Sequence, residues 1–170
     1  MNFIGIDIGG TNTRVAVVSS GGVIAHIVKQ KTTKSNDFFP NLIRMIESLP
    51  GSGECSAIGL GVPGMVEGDR ITTCRNLKIL VDFPLVQKLQ KHFNKPVYMQ
   101  NDAKVATLGE ALAGAGRNSN IVAYVGLGTG LGGGVVINKQ LYLGASGLGG
   151  YFSRIILDGQ SLADDLVSAR

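Results

Sequence analysis

Phe3-Ile-Gly-Ile-Asp-Ile-Gly-Gly-Thr-Asn-Thr-Arg-Val-Ala-Val17 is the stretch on which the reading of this chain turns. An apolar, β-branched run over residues 3–8 breaks at Gly9-Gly10 and resumes over 13–18, which predicts two buried strands joined by a two-glycine hairpin turn. Asp7 ends the first run inside greasy sequence, where a carboxylate is unfavourable unless a metal, water or donor meets it. Gly9 and Gly10 lack Cβ atoms, so their N–H groups can close on an anion, and Thr11, Asn12 and Thr13 add side-chain donors. A carboxylate for Mg²⁺ beside a phosphate-sized cradle suits a nucleoside triphosphate. On the glycines alone, a plain hairpin explains the turn as well.

The 170 residues are 44% hydrophobic and 16% charged, enough for a sizeable core in one domain or two small lobes. A net charge of +4 without a dense basic block gives no sign of nucleic-acid binding, and Lys29, Lys31 and Lys34 read as a solvated strand end. Cys55 and Cys74 lie in separate segments with no C-x-x-C spacing, as expected of reduced thiols in a cytoplasmic protein. No signal-peptide pattern and no apolar run of membrane-spanning length is present. The 25 glycines are about twice the usual share and concentrate in three loops, which points to backbone facing a ligand.

Beyond the opening hairpin, residues 23–28 read as a third strand and Ser35-Asn36 as the cap of a helix with Pro40 in its first turn. A buried strand follows over 56–62, then the turn Gly61-Val-Pro-Gly64 and a small hairpin over 66–71. A second helix opens at Asp82 and Pro84, and a short strand spans 96–99. Asn101-Asp102 caps a third helix, with Val105, Ala106 and residues 108–112 as its inward stripe. Three strands, a helix and a strand rejoining the same sheet predict an α/β lobe of ribonuclease H-like type over residues 1–116. Strand, glycine loop and strand then recur over 121–137, where six glycines fall in the nine residues 126–134. This repeat of the opening pattern marks the start of a second, similar lobe over 117–170, closed by a short helix after Ser161-x-x-Asp164.

Asp102, at a strand end and on a helix's first turn, sits where an anion is favoured and could act as a general base. An ordinary helix cap accounts for the same position. Five stretches together carry a resemblance. Asp7-Ile-Gly-Gly-Thr-Asn12 resembles the phosphate loop of the sugar kinase/actin/Hsp70 superfamily, in the form found in the ROK family of bacterial sugar kinases and sugar-responsive repressors. Gly61-Val-Pro-Gly64 resembles that family's turn under the sugar, and Arg75-Asn76-Leu77 its Pro-Asn-Leu, whose Asn approaches the sugar. Asn101-Asp102-Ala103 is similar to its sugar contact and general base, and Gly128-Thr-Gly-Leu-Gly-Gly-Gly134 to its second phosphate loop. The match keeps the family's order to about residue 150 and points to its glucokinase-like and N-acetylmannosamine kinase-like members.

The resemblance implies the actin/hexokinase/Hsp70 fold and ATP-dependent phosphoryl transfer to a hydroxyl of a hexose or amino sugar, with Asp102 as base. Gly64, Asn76, Asn101 and Asp102 would face the sugar. Asp7, Gly9, Gly10, Thr11, Asn12, Thr13, Gly128, Thr129 and Gly130 would face ATP, Asp7 through Mg²⁺. Small molecules are then the expected partners, with neither nucleic acid nor membrane, and the open edge of a half-built lobe invites a homo-oligomer. After residue 150 the sequence departs from the pattern. Tyr151 and Arg154 stand where the family has a sugar-gripping Glu and His, and no cysteine follows for its zinc site. Zinc is not expected; His26 and His92 are isolated. The family continues for nearly as many residues again, so the sequence reads as a truncated, divergent member whose activity is weak or lost. The alternative is a non-catalytic nucleotide- or sugar-binding sensor, and the least favoured reading a repressor lacking its DNA-binding domain.

Overall fold

The structure, a computed structural model, describes residues 1–128 and 130–167. Its contacts divide into two compact units, Met1–Asp102 and Ala103–Arg170.

In the first unit, β1 (Asn2–Ile8), β2 (Asn12–Ser19), β3 (Ile24–Lys31), β4 (Ile58–Val62) and β7 (Val97–Asn101) form one sheet in the order β3-β2-β1-β4-β7. The first three are antiparallel, while β4 runs parallel to β1 and β7 parallel to β4. Two-residue alternation puts Ile4, Ile6, Ile8, Val15, Val17, Ile58 and Leu60 in one buried cluster. Leu42 and Ile46 of α1 (Phe38–Glu47) and Leu85, Val86 and Leu89 of α2 (Leu85–Phe93) complete it. Helices supply the crossovers that parallel pairing requires. A small hairpin, β5 (Met65–Glu67) and β6 (Arg70–Thr73), leaves the sheet after β4. This is the α/β, ribonuclease H-like lobe expected from the sequence. β3 differs from a buried strand: it is an exposed edge, with Ile24 and Ile27 in solvent and Lys29 and Lys31 beside them, charges that discourage edge pairing.

The second unit holds a three-stranded antiparallel sheet in the order β10-β9-β8: β8 (Ile121–Leu127), β9 (Leu131–Ile137) and β10 (Gln140–Leu141). Asn138 and Lys139 turn β9 into β10 with φ of 50° and 65°, the left-handed pair of a type I′ hairpin. α3 (Asp102–Leu112) groups with this unit from Ala103 onward, whereas the sequence put it with the first lobe. The inward stripe also differs. Of Val105, Ala106 and residues 108–112, only Ala111 is buried; the buried face is Lys104, Thr107 and Ala111. Its neighbour explains this, because a Cβ on Gly132 would lie 2.7 Å from Ala103 Cβ and one on Gly134 2.7 Å from Thr107 Oγ1. A strand without side chains admits the helix at close range, and small or unbranched residues face it best. Gly132, Gly133 and Gly134 therefore serve packing. A short α4 (Ala163–Val167) follows a loop closed by an Ile156–Leu162 bridge. Among the described residues, no helix is long and apolar enough to cross a membrane.

Candidate functional site

The connection between β1 and β2 is Gly9-Gly10-Thr11, and neither glycine has a positive φ. Their need is space: a Cβ on Gly9 would lie 2.9 Å from Asn12 O, and one on Gly10 3.1 Å from Asn76 Cβ. The loop is braced from β3. The Thr32 hydroxyl donates to Gly9 O at 2.6 Å and its N–H to Thr11 O at 2.9 Å, while Gly9 N–H donates to Asn12 O at 2.9 Å. Thr13 is buried behind the loop, 3.0 Å from the Thr32 hydroxyl. Asp7 meets a donor: Arg14, opposite it in the ladder, donates from Nη1 to Oδ2 at 2.7 Å. Both side chains are about half exposed, so the pair contributes roughly 0–1 kcal/mol. Counting back along the hairpin from Ile8 opposite Thr13 would have found Arg14.

Across the loop, Asn76 approaches Gly10. Gly64 has a φ of 96°, and a Cβ there would meet Thr73 O at 2.0 Å, so the turn after β4 demands glycine. Asn101, at the end of β7 and 7% exposed, donates from Nδ2 to Gly64 O and to Asp102 Oδ1, each at 3.0 Å. Asp102 opens α3, where the helix N-terminus favours an anion. The buried Cys74 thiol lies close enough to feel the Asp102 charge; burial chiefly pushes its pKa up, the carboxylate adds to this, and the Leu77 and Asn76 N–H groups oppose it. The structure thus brings Gly10 to Asn76, and Asn101 to both Gly64 and Asp102, all within the first unit.

In the second unit the glycine loop narrows to 128–130, since β8 runs to Leu127 and β9 starts at Leu131. Gly128 N–H donates to Gly130 O at 3.0 Å. Thr129, expected at a phosphate, lies outside the described residues. Asp164, read from sequence only as part of a helix start, lies in the first turn of α4 and also accepts from the Leu131 N–H at 2.7 Å. Lys104 is another residue the sequence did not single out. It is 1% exposed, donates to Gly147 O at 2.6 Å and lies 4.3 Å from the Tyr151 ring, and burial pushes its pKa down. Arg154 is exposed in the short 3₁₀ turn after Tyr151. His26 is exposed on β3, and His92 Nε2 sits 3.0 Å from Glu47 Oε1. Among the described residues, no cluster of three or more His, Cys, Asp or Glu could hold a metal. Magnesium does not require one, since one carboxylate with phosphates and water satisfies it. Asp7, a half-exposed oxygen donor beside the loop, fits that demand.

Known proteins share this arrangement of elements. The family model described as the ROK family matches residues 3–163. The glucokinase of Thermotoga maritima is 31% identical over 163 residues, which span 93% of this chain and 51% of that protein. An N-acetylmannosamine kinase of Yersinia pestis is 31% identical over 159 residues, covering 91% and 54%. The chain spans about half the length of the curated relatives it matches. Among solved structures, a ROK family glucokinase from Streptomyces griseus in complex with glucose and AMPPNP is 30% identical, with a TM-score of 0.83 over 99% of this chain and 55% of that one. The ROK hexokinase of Thermus thermophilus, also 30% identical, gives 0.78 over 95% and 55%. With the match running through nearly its whole length, and the actin/hexokinase-like fold shared, this chain belongs to the ROK family.

Proposed function

We propose that this chain carries the sugar-side and first phosphate-binding parts of an ATP-dependent sugar kinase acting on a hexose or amino sugar. The observation that carries this reading is the Asn101 amide, held between Gly64 O and Asp102 Oδ1 at 3.0 Å each. It fixes a carboxylate at a helix N-terminus, and a glycine turn built for close approach, in one place. In this reading Asp102 takes the proton of a sugar hydroxyl. That oxygen forms its bond to the γ-phosphorus as the bond from the γ-phosphorus to the β–γ bridging oxygen breaks and ADP leaves. Asn76 and Asn101 orient the sugar, while Gly10 to Asn12 receive phosphate oxygens on backbone N–H groups. Asp7 would hold Mg²⁺, which neutralises phosphate charge when bound. In the second unit, Gly128, Thr129 and Gly130 are proposed as phosphate-binding residues on the resemblance of their sequence to the family's second phosphate loop.

A second reading, binding without turnover, draws on two observations. The Asp164 carboxylate accepts from an amide at the second glycine loop, which a phosphate would otherwise attract, and Tyr151 packs against Lys104 where the family pattern has a sugar-gripping Glu.

An ADP-release assay with Mg-ATP and glucose, mannose, fructose, allose, N-acetylglucosamine or N-acetylmannosamine, beside calorimetric ATP titration, separates the two. Turnover on one sugar supports the kinase and identifies its substrate. ATP binding without turnover supports the second reading, and neither would overturn both.

A further inference from the structure

Thr32 carries no weight in the sequence, yet it holds the first loop through its hydroxyl and its N–H. It is 9% exposed, just past the end of β3, and reaches the loop three ways: hydroxyl to Gly9 O at 2.6 Å, N–H to Thr11 O at 2.9 Å, and hydroxyl oxygen to Thr13 Oγ1 at 3.0 Å. A threonine hydroxyl has one hydrogen. Here it goes to Gly9 O, which can only accept, so Thr13 must be the donor to Thr32. The hydroxyl hydrogen of Thr13 is thereby committed behind the loop.

The geometry of the peptide bond gives these contacts their meaning. A trans peptide unit is planar, with its C=O and N–H on opposite sides. Gly9 O and the Gly10 N–H belong to one unit, and Thr11 O and the Asn12 N–H to the next but one. Tying both carbonyls to Thr32 therefore turns the Gly10 and Asn12 N–H groups to the side away from it. A loop that binds an anion must present N–H groups and keep carbonyl oxygens off the ligand. Side-chain donors on the loop cannot ensure that, because they leave the peptide planes free to rotate.

We infer that Thr32 is a positioning residue for phosphate binding: it holds the Gly9–Gly10 and Thr11–Asn12 peptide planes so that the Gly10 and Asn12 N–H groups point at a bound nucleotide's phosphates. The inference rests on reading this loop as the ATP phosphate site. The neighbouring segment is braced to match, since Asn41 Nδ2 donates to Thr33 Oγ1 at 2.7 Å and holds the strand end against α1.

The test compares Thr32→Val, which keeps the shape and the N–H but loses the hydroxyl, with Thr32→Ser, which keeps the hydroxyl. Mg-ATP affinity is measured by calorimetry, and the Gly10 and Asn12 amide signals are followed by NMR without nucleotide. Thr32→Val should weaken Mg-ATP about tenfold or more and shift or broaden both amide signals. Thr32→Ser should stay within about twofold of the parent on the same scale. A purely structural role would lower the melting temperature without this split, so equal affinities and equal loop spectra in the two variants would overturn the inference. Should valine prevent folding, Thr32→Ala gives the same comparison against serine. If the parent itself does not bind Mg-ATP, the reading of the loop as a phosphate site fails, and the amide signals alone still decide whether Thr32 orients the peptide planes.

Discussion

At the scale of single residues, the arrangement around Asn101 makes two sharp demands. Asp102→Asn keeps the shape and the place at the helix start but removes the basic oxygen. Any sugar-dependent turnover should fall by roughly two to four powers of ten, with ATP affinity nearly unchanged by calorimetry; turnover that survives would remove Asp102 as base. Gly64→Ala tests the turn beneath it. With φ at 96° and Thr73 O where the methyl would go, backbone strain and overlap should lower stability by about 2–4 kcal/mol, read from the urea midpoint. Both residues were legible in the sequence, because glycines and an Asn-Asp pair at strand ends are local signals. Thr32 was not, since a threonine after a strand is ordinary until a partner 23 residues earlier is brought against it.

At the scale of elements, sequence patterns found the β-strands and α-helices of the first unit, but not its short 3₁₀ turns at Ser52–Glu54 and Lys78–Leu80, and misjudged the face of α3. Its hydrophobic spacing was real; what periodicity could not convey was that the opposing strand is glycine and rewards close approach over bulk. The end of α3 is held by the Lys139 ammonium, which donates to Ala111 O at 2.7 Å, Arg117 O at 2.6 Å and Ser119 O at 3.2 Å. Lys139→Met should therefore lower stability by about 1–3 kcal/mol in thermal or urea unfolding. Lys139→Gly should lose up to about 1 kcal/mol less, because glycine accepts the φ of 65° without strain. The loop before α4 gives a pH dependence. The Ser161 and Gln160 N–H groups, with the Ser161 hydroxyl, hold the Asp158 carboxyl below the usual carboxylate range. A depressed folded value means the loop is supported above the unfolded value of about 4 and loses that support as pH falls through the folded one. The Gln160 and Ser161 amide signals should shift together in that acid window, and Asp158→Asn should abolish the titration.

At the scale of the whole chain, the two units differ in how much apolar surface they cover. The first buries a continuous cluster, whereas in the second Ile121, Val125 and Leu127 of edge strand β8 stand 68%, 55% and 70% exposed. An uncovered apolar edge promotes self-association, so sedimentation should depend on concentration, and Val125→Lys should reduce that dependence. The sequence foretold a first lobe and the start of a second because glycine loops and strand patterns repeat. It could not say which faces would stay bare, since burial depends on what packs opposite. Cys55 and Cys74, 1% and 6% exposed and with thiols made less acidic by burial, turn that inner order into a clock. A thiol reagent can reach them only when the first unit opens. Cys74 lies beside Asn76 and Asp102, while Cys55 packs near the start of β4, so two labelling rates on one untouched chain report separately on the candidate site and on its scaffold.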